Sequence, residues 1–243
     1  METHKLTVAA KRVLKPKYCG AVIVAAGSAS RMAGVDKILA PLGNTTVIAA
    51  SAKAFQDCDV IKEIVIVTRP DQLEQVAEVC MGFDKVKAVV AGGASRPESV
   101  MNGLNALSKK VKLAAIHDGA RPLATPEMID RVVRAAGTWG AAAPGIPVKD
   151  TVKQTQKGIV TGTPDRSALR AIQTPQIFDY DLLVGALENA AQKGLAITDD
   201  CSAVEALGMS VRIVDGLEEN IKITTPMDLI LAEAILRRRE GGL

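Results

Sequence analysis

From Ala21 to Ala26 six consecutive residues, Ala-Val-Ile-Val-Ala-Ala, carry no polar side chain, and the run stops at Gly27-Ser28-Ala29. Unbroken apolarity over a strand's length, rather than alternation, is the pattern of a parallel strand covered on both faces. Apolar-rich runs of similar length recur at Glu63 to Thr68, at Val86 to Val90 with Lys87 inside it, and at Leu113 to His117, and turn residues follow each: Arg69-Pro70, Gly92-Gly93 and Asp118-Gly119. Helical periodicity fills the gaps, over Thr45 to Gln56, over Asp71 to about Met81, and in a segment carrying Val100, Leu104 and Leu107 on one face. Ser95 and Glu98 have the spacing of a capping box at the start of that segment. Thr125 followed by Pro126 predicts a helix over Pro126 to Ala136. Strands alternating with helices predict an α/β fold with a parallel sheet wound on both faces. Ligands of such sheets sit beyond the carboxyl ends of the strands, where the loops at Gly27, Gly92 and Asp118 all fall.

The alternation breaks between Pro144 and Thr174. There Lys149 to Thr155, the turn residues Gln156-Lys157-Gly158 and Ile159 to Thr163 read as a β-hairpin with few core residues. A hairpin that cannot bury itself packs on something else, and a second subunit is one candidate. A helix over Asp181 to Gln192, another opening at Thr198-Asp199-Asp200, a late strand over Val211 to Val214 and a capped helix from Thr225-Pro226 to about Arg239 complete the chain. Residues 1–17 are polar and basic and read as an extension ahead of a single domain spanning 18–243.

Composition narrows the classes of function. With 243 residues, 48% of them apolar but only 2% aromatic, the core must be built from Ala, Val, Ile and Leu. So few aromatics argue against a base-stacking nucleic-acid binder. A net charge of +3 without a long Lys/Arg run suits small acidic substrates better than a polyanion. Cys19, Cys58, Cys80 and Cys201 make no Cys-x-x-Cys, so neither zinc nor a disulfide framework is expected, and a reduced, cytoplasmic setting is the default. No apolar run approaches membrane-spanning length.

The chemistry gathers at the strand ends. Ala25, Ala26, Gly27, Ser28 and Ala29 have so little bulk that an anion could approach their backbone N–H groups, and Arg31 and Lys37 set two cations beside them. Neither Gly-x-Gly-x-x-Gly nor Gly-Lys-Ser/Thr is present, which argues against a dinucleotide fingerprint and a P-loop. Asp118 could touch a metal or a ribose and Arg121 a phosphate, or the two could form an ion pair within the loop. His117 alternates away from Asp118 and reads as a hydrogen-bonded structural histidine. Lys222, between Ile221 and Ile223, should face a cleft and meet an anion if this stretch is a strand, whereas snorkelling from an edge is the bland alternative. Asp199-Asp200 could hold a metal but falls where a helix cap is due. No arrangement supports a covalent nucleophile.

Seven ordered motifs carry a resemblance: Ala25-Ala26-Gly27 with Arg31 and Lys37; Gly92-Gly93 with Arg96 and Ser99; His117-Asp118-Gly119-Ala120-Arg121-Pro122; Asp150-Thr151; Gln173-Thr174-Pro175-Gln176; Thr198-Asp199-Asp200; and Asn220-Ile221-Lys222-Ile223-Thr224. Over about residues 19 to 236 the chain resembles the 2-C-methyl-D-erythritol 4-phosphate cytidylyltransferases of the non-mevalonate isoprenoid pathway. The resemblance implies a Rossmann-like nucleotidyltransferase that joins a sugar phosphate to CTP and releases pyrophosphate with Mg²⁺ bound. It implies catalytic roles for Arg31, Lys37, Arg166 and Lys222. Ala25, Ala26, Gly27, Gly92, Ser99 and Asp118 would surround CTP, Asp118 also being a candidate for Mg²⁺. Asp118, Arg121, Thr151, Arg166, Thr174 and Lys222 would position the sugar phosphate. It further implies a homodimer with shared sites, the projecting arm matching about residues 148–169. Ala29, Asp36-Lys37-Ile38 and Gly119 depart from the family's usual glycine, Pro-Lys-Gln and alanine. Ribitol 5-phosphate or another polyol phosphate is the alternative substrate, and a non-catalytic nucleotide-binding regulatory domain is the alternative of another class.

Overall fold

The computed structural model describes residues 18–27 and 36–241. The expected extension at 1–17, Arg31 and Ala29 lie outside them. The apolar run at the start forms β1 (Cys19–Val24), and the chain continues through a two-rung ladder of β2 (Pro41–Leu42) and β3 (Thr45–Thr46) into α1 (Val47–Gln56). That helix starts later than its periodicity suggests because Thr46 is its cap, with extended backbone and a side chain accepting the Ala49 N–H. Next come β4 (Ile61–Thr68), a 3₁₀ turn at 70–72, α2 (Leu73–Val79), β5 (Val86–Ala91), α3 (Arg96–Ala106), β6 (Leu113–Asp118) and α4 (Pro126–Trp139). The second half comprises β7 (Ala141–Pro147), β8 (Gln154–Gln156), β9 (Ile159–Gly162), β10 (Arg170–Ile172), β11 (Gln176–Asp179), α5 (Tyr180–Gln192), α6 (Asp200–Glu205), β12 (Arg212–Asp215) and α7 (Pro226–Arg239).

The main sheet runs β10-β7-β11-β6-β1-β4-β5, with β12 also on β7. β5, β4, β1 and β6 pair in parallel, as do β12 and β7, while β10 and β11 run against their neighbours. The α/β, mostly parallel fold is therefore as expected. Alternate residues of the inner strands face opposite layers, which is why those strands are apolar throughout. Ile23, Ile64 and Ile66 pack with α1 and α4; Val22, Val65 and Val67 pack with α3 and α5.

The structure differs from expectation in three places. The region around the expected hairpin holds more strands than the hairpin alone: β7 spans Pro144, β10 follows the arm, and β11 inserts antiparallel between β6 and β7. An Ala-rich strand ending Pro-Gly-Ile-Pro has no strand composition, and only its position between other strands makes it one. The hairpin is shorter than predicted, β8 and β9 joined by Lys157 (φ 50°) and Gly158 (φ 80°). Both turn residues lie in the left-handed region that two-residue hairpin turns require. Residues 220–224 are not a strand but an irregular segment, pinned by the Ile223 N–H to the Ala120 carbonyl at 2.8 Å.

Candidate active site

The carboxyl ends of β1, β5 and β6 bring the three predicted loops to one edge. The segments that follow β1 and β5 nearly touch there, across the end of β4: a Cβ on Gly92 would lie 2.4 Å from the Ala26 Cβ and 2.9 Å from the Ser99 hydroxyl, so only glycine fits. Backbone bonds lock these ends in place, Ala25 N–H to the Val67 carbonyl at 2.6 Å and Gly92 N–H to the Thr68 carbonyl at 2.8 Å. Ser99, buried on α3, donates to the Ser95 carbonyl (2.9 Å) and accepts the Gly93 N–H (3.1 Å). The resulting cavity of about 400 Å³ is lined by Ala25, Ala26, Gly27, Lys37, Ser99 and Asp118, among others. That volume lies within the small-molecule range.

Lys37 is set by its neighbour. The Asp36 carboxylate accepts the N–H groups of Ile38 (2.9 Å) and Leu39 (3.4 Å), bonds Arg69 at 2.8 Å and accepts from the Gln72 side chain. Burial pushes the Asp36 carboxyl up, but these donors outweigh it and hold it below the usual range.

Asp118 ends β6 with its side chain 14% exposed and three cations around it: Lys222 Nζ at 2.7 Å, Arg121 Nε at 3.6 Å and Arg96 at 3.9 Å. Burial alone would raise its carboxyl; Lys222, Arg96 and Arg121 together keep it lowered and ionised. Arg96 opens α3 and forms two parallel bonds, 3.0 and 2.7 Å, to the fully buried Asp200 of α6. Burial raises the Asp200 carboxyl, and Arg96 opposes that rise. Asp199, not Asp200, caps α6, in a reciprocal capping box with Ser202. The cap due at this pair is thus made by Asp199 alone: a cap uses one carboxylate, and the other takes the arginine.

A second cavity of about 200 Å³ lies across Asp118, lined by Arg96, Asp118, Arg121, Thr174, Gln176 and Lys222 among others. Arg121 donates to the Asn220 carbonyl at 2.7 Å, and its buried Nε has no hydrogen-bond partner among the described residues. An unsatisfied guanidinium donor beside a lysine suits an anion. His117 is fully buried, its pKa pushed down by desolvation to about 4, with ring nitrogens 3.0 Å from the Arg121 carbonyl and 3.0 Å from the Thr174 hydroxyl. It is the structural histidine expected.

The predicted residues within the described chain thus divide into four sets. Ala25, Ala26, Gly27, Ser99 and Lys37 line the first cavity, with Gly92 closing the strand ends behind it. Arg121 and Thr174 line the second, and Asp118 and Lys222 line both. Thr151 and Arg166 line neither; both are exposed, and Arg166 bonds the Lys149 carbonyl at 2.6 Å within its own segment. Sequence reasoning missed the Arg96–Asp200 pair and the Asp36–Arg69–Gln72 cluster. The available signals were a second aspartate at a cap and an aspartate immediately before Lys37.

Comparison with known proteins agrees with this geometry. The family profile described as 2-C-methyl-D-erythritol 4-phosphate cytidylyltransferase matches residues 19–238. The protein of that name from Caldanaerobacter subterraneus subsp. tengcongensis is 44% identical over 223 residues, covering 90% of this chain and 98% of the relative. Its counterpart from Desulforamulus reducens is also 44% identical, covering 90% of this chain and 96% of its own. Among crystal structures, 4-diphosphocytidyl-2C-methyl-D-erythritol synthase from Anaerococcus prevotii superposes with a TM-score of 0.83 at 31% identity, covering 92% of this chain and 100% of that one. The 2-C-methyl-D-erythritol 4-phosphate cytidylyltransferase from Thermus thermophilus gives 0.74 at 35% identity, covering 89% and 98%.

Proposed function

The chain belongs to the 2-C-methyl-D-erythritol 4-phosphate cytidylyltransferase family, and from that premise we propose that it joins CTP to 2-C-methyl-D-erythritol 4-phosphate, giving 4-diphosphocytidyl-2-C-methyl-D-erythritol and pyrophosphate. A phosphate oxygen of the sugar phosphate forms a bond to the α-phosphorus of CTP as the bond to the β-phosphate oxygen breaks. The nucleophile is already an anion, so no general base is required; what the site must supply is positioning and positive charge. The observation that carries the reading is the shared wall of Asp118, Lys222 and Arg96 between two cavities, one walled by small residues and one cationic. CTP would occupy the first, against Ala25, Ala26, Gly27, Gly92, Ser99 and Asp118, with Lys37 and Arg31 meeting the charge that develops in transfer. The sugar phosphate would occupy the second, its phosphate on Arg121 and Lys222 and Thr174 beside it.

The cofactor we propose is Mg²⁺. Among the described residues, Asp118 is the one carboxylate lining the first cavity, and no group of three or more His, Cys, Asp or Glu could hold a metal alone. That donor set fits an ion held by one carboxylate and mainly by nucleotide phosphates, as Mg²⁺ commonly is. When bound, Mg²⁺ would neutralise triphosphate charge and ease departure of pyrophosphate.

Thr151 and Arg166 we assign to the neighbouring site of a homodimer, delivered by the arm at about 148–169. In support, among the described residues β8 and β9 pair only with each other and expose Ile159 and Val160, and Thr151 and Arg166 line neither of the two cavities described above. A cytoplasmic setting fits four free, buried cysteines and the absence, among the described residues, of any helix long and apolar enough to cross a membrane.

Pyrophosphate release with CTP and Mg²⁺, measured in parallel with methylerythritol phosphate and ribitol 5-phosphate, tests the reading. Release is expected only with methylerythritol phosphate. Equal or faster release with ribitol 5-phosphate would reassign the substrate, and none with either would indicate a regulatory nucleotide-binding domain.

A further inference from the structure

Three contacts around His117 fix the location of a proton beside the second cavity. The ring is fully buried and packs against Phe55, centroids 4.8 Å apart. Its Nε2 faces the Arg121 carbonyl at 3.0 Å. A carbonyl oxygen only accepts, so Nε2 carries the ring proton. In a neutral ring Nδ1 is then a bare lone pair, and its partner at 3.0 Å is Thr174 Oγ1. That same oxygen accepts the backbone N–H of Asp118 at 3.0 Å. The threonine has one hydroxyl hydrogen, and Nδ1 takes it. The opposite tautomer would press two lone pairs together between Nε2 and the carbonyl, and a doubly protonated ring would bury a charge.

We infer that the Thr174 hydroxyl is not a donor to the substrate phosphate, and that Thr174 and His117 act together as positioning residues for the turn that carries Asp118 and Arg121. Thr174 holds the Asp118 end through its N–H, and His117 holds the Arg121 end through its carbonyl. The turn's own bond, from the Arg121 N–H to the Asp118 carbonyl at 2.9 Å, completes a closed ring of hydrogen bonds. β11 makes this possible, because its antiparallel register sets Gln176 opposite Ile116 and so carries Thr174 to the end of β6. A phosphomonoester dianion accepts hydrogen bonds and donates none. The cations lining the second cavity that can donate to it are Arg96, Arg121 and Lys222. Oγ1 can only accept from a ligand, which suits a hydroxyl of the polyol. This last identification rests on the polyol-phosphate reading of the second cavity; the placement of the proton does not.

The test uses the wild-type protein with ¹⁵N-labelled histidine at neutral pH, observed free, with saturating inorganic phosphate and with saturating methylerythritol phosphate. The expected spectrum for His117 is a neutral ring protonated on Nε2 with a hydrogen-bonded Nδ1, unchanged by either ligand. An Nδ1-protonated ring in the free protein, or loss of the Nδ1 hydrogen bond when either phosphate binds, would overturn the inference. Turnover gives a second, separate readout. Thr174→Ser should stay close to wild type, whereas Thr174→Val should lower kcat by about tenfold, the worth of one hydrogen bond. Combined with Asp118→Asn, Thr174→Val should add little further loss, since both act on the same carboxylate. An unchanged kcat in Thr174→Val would overturn the positioning role, whatever happens to KM, which loss of the acceptor for a polyol hydroxyl would itself raise. If no cytidylyl transfer occurs at all, the functional reading fails while the spectrum still decides the proton.

Discussion

Replacing Arg96 by methionine keeps most of the side chain's stem and removes the partner of a buried carboxylate. Both Asp200 oxygens bond that guanidinium, at 3.0 and 2.7 Å, and the Asp200 side chain is 1% exposed. Breaking such a pair from one side costs about 3–5 kcal/mol, because the remaining charge stays buried. For a chain of this length that corresponds to a fall in Tm of about 6–20 °C. The loss should depend on pH in a defined direction. Burial already raises the Asp200 carboxyl, and without Arg96 it rises further. An acid whose folded pKa exceeds its unfolded one loses stability as pH climbs from the ordinary carboxylate range through the folded value. Arg96→Met should therefore be most destabilised near pH 8 and partly recover at pH 5, where Asp200 takes up a proton. Adding Asp200→Asn removes the charge and should restore most of the loss at every pH. Thermal or urea melts of the two single variants and the double variant measure this. A Tm within about 2 °C of wild type for Arg96→Met at pH 8, or losses that simply add in the double variant, would refute the buried pair as the cause.

Three further outcomes are expected. Lys37→Ala should lower kcat by about 10²-fold or more while CTP affinity is comparatively unchanged, and Lys222→Ala should also raise KM for the sugar phosphate; steady-state kinetics and CTP titration separate these effects. Mixing inactive Lys37→Ala and Arg166→Ala proteins, with subunit exchange confirmed independently, should restore about a quarter of sites, because half the dimers are mixed and each mixed dimer has one intact site; activity that stays at the level of the separate mutants would exclude a site shared across subunits. Gly92→Ala would place a Cβ 2.4 Å from that of Ala26 and should cost about 1–3 kcal/mol as overpacking, with weaker CTP binding because the loop segments at Ala26 and Gly92 must part; unchanged melting would show that these loop segments are looser than they look.

The parallel half of the sheet was legible because each inner strand must be apolar on both faces, so β1, β4 and β6 announce themselves by composition, and the edge strand β5, despite Lys87, by its Val-rich run. The loops at their ends were legible for a related reason: small residues and isolated charges stand out after six apolar positions. β7 was not, since Ala-Ala-Ala-Pro-Gly-Ile-Pro is a strand only by virtue of β11 and β12 on either side. Long-range partners were equally hidden. Nothing local couples Arg96 to Asp200, 104 residues away, or Asp36 to Arg69, 33 residues away. Lys222 was placed correctly at a cleft for a reason only half right: the segment is not a strand, and it is Asp118, rather than a ladder, that holds the amine in place.

The wall of Asp118, Lys222 and Arg96 has a consequence for the order of events. In the free protein Asp118 already occupies the cations, so three positive side chains can stand together without driving one another apart. An arriving phosphate competes with that carboxylate for cations already in place, and must draw some of them away from it. Because both cavities use the same side chains, neither can fill without altering the field felt in the other. Whatever one substrate does to the affinity of its partner, the partner returns by the same factor. With one substrate in each cavity, as proposed, the two would be linked through the partition that separates them, before their reacting atoms meet.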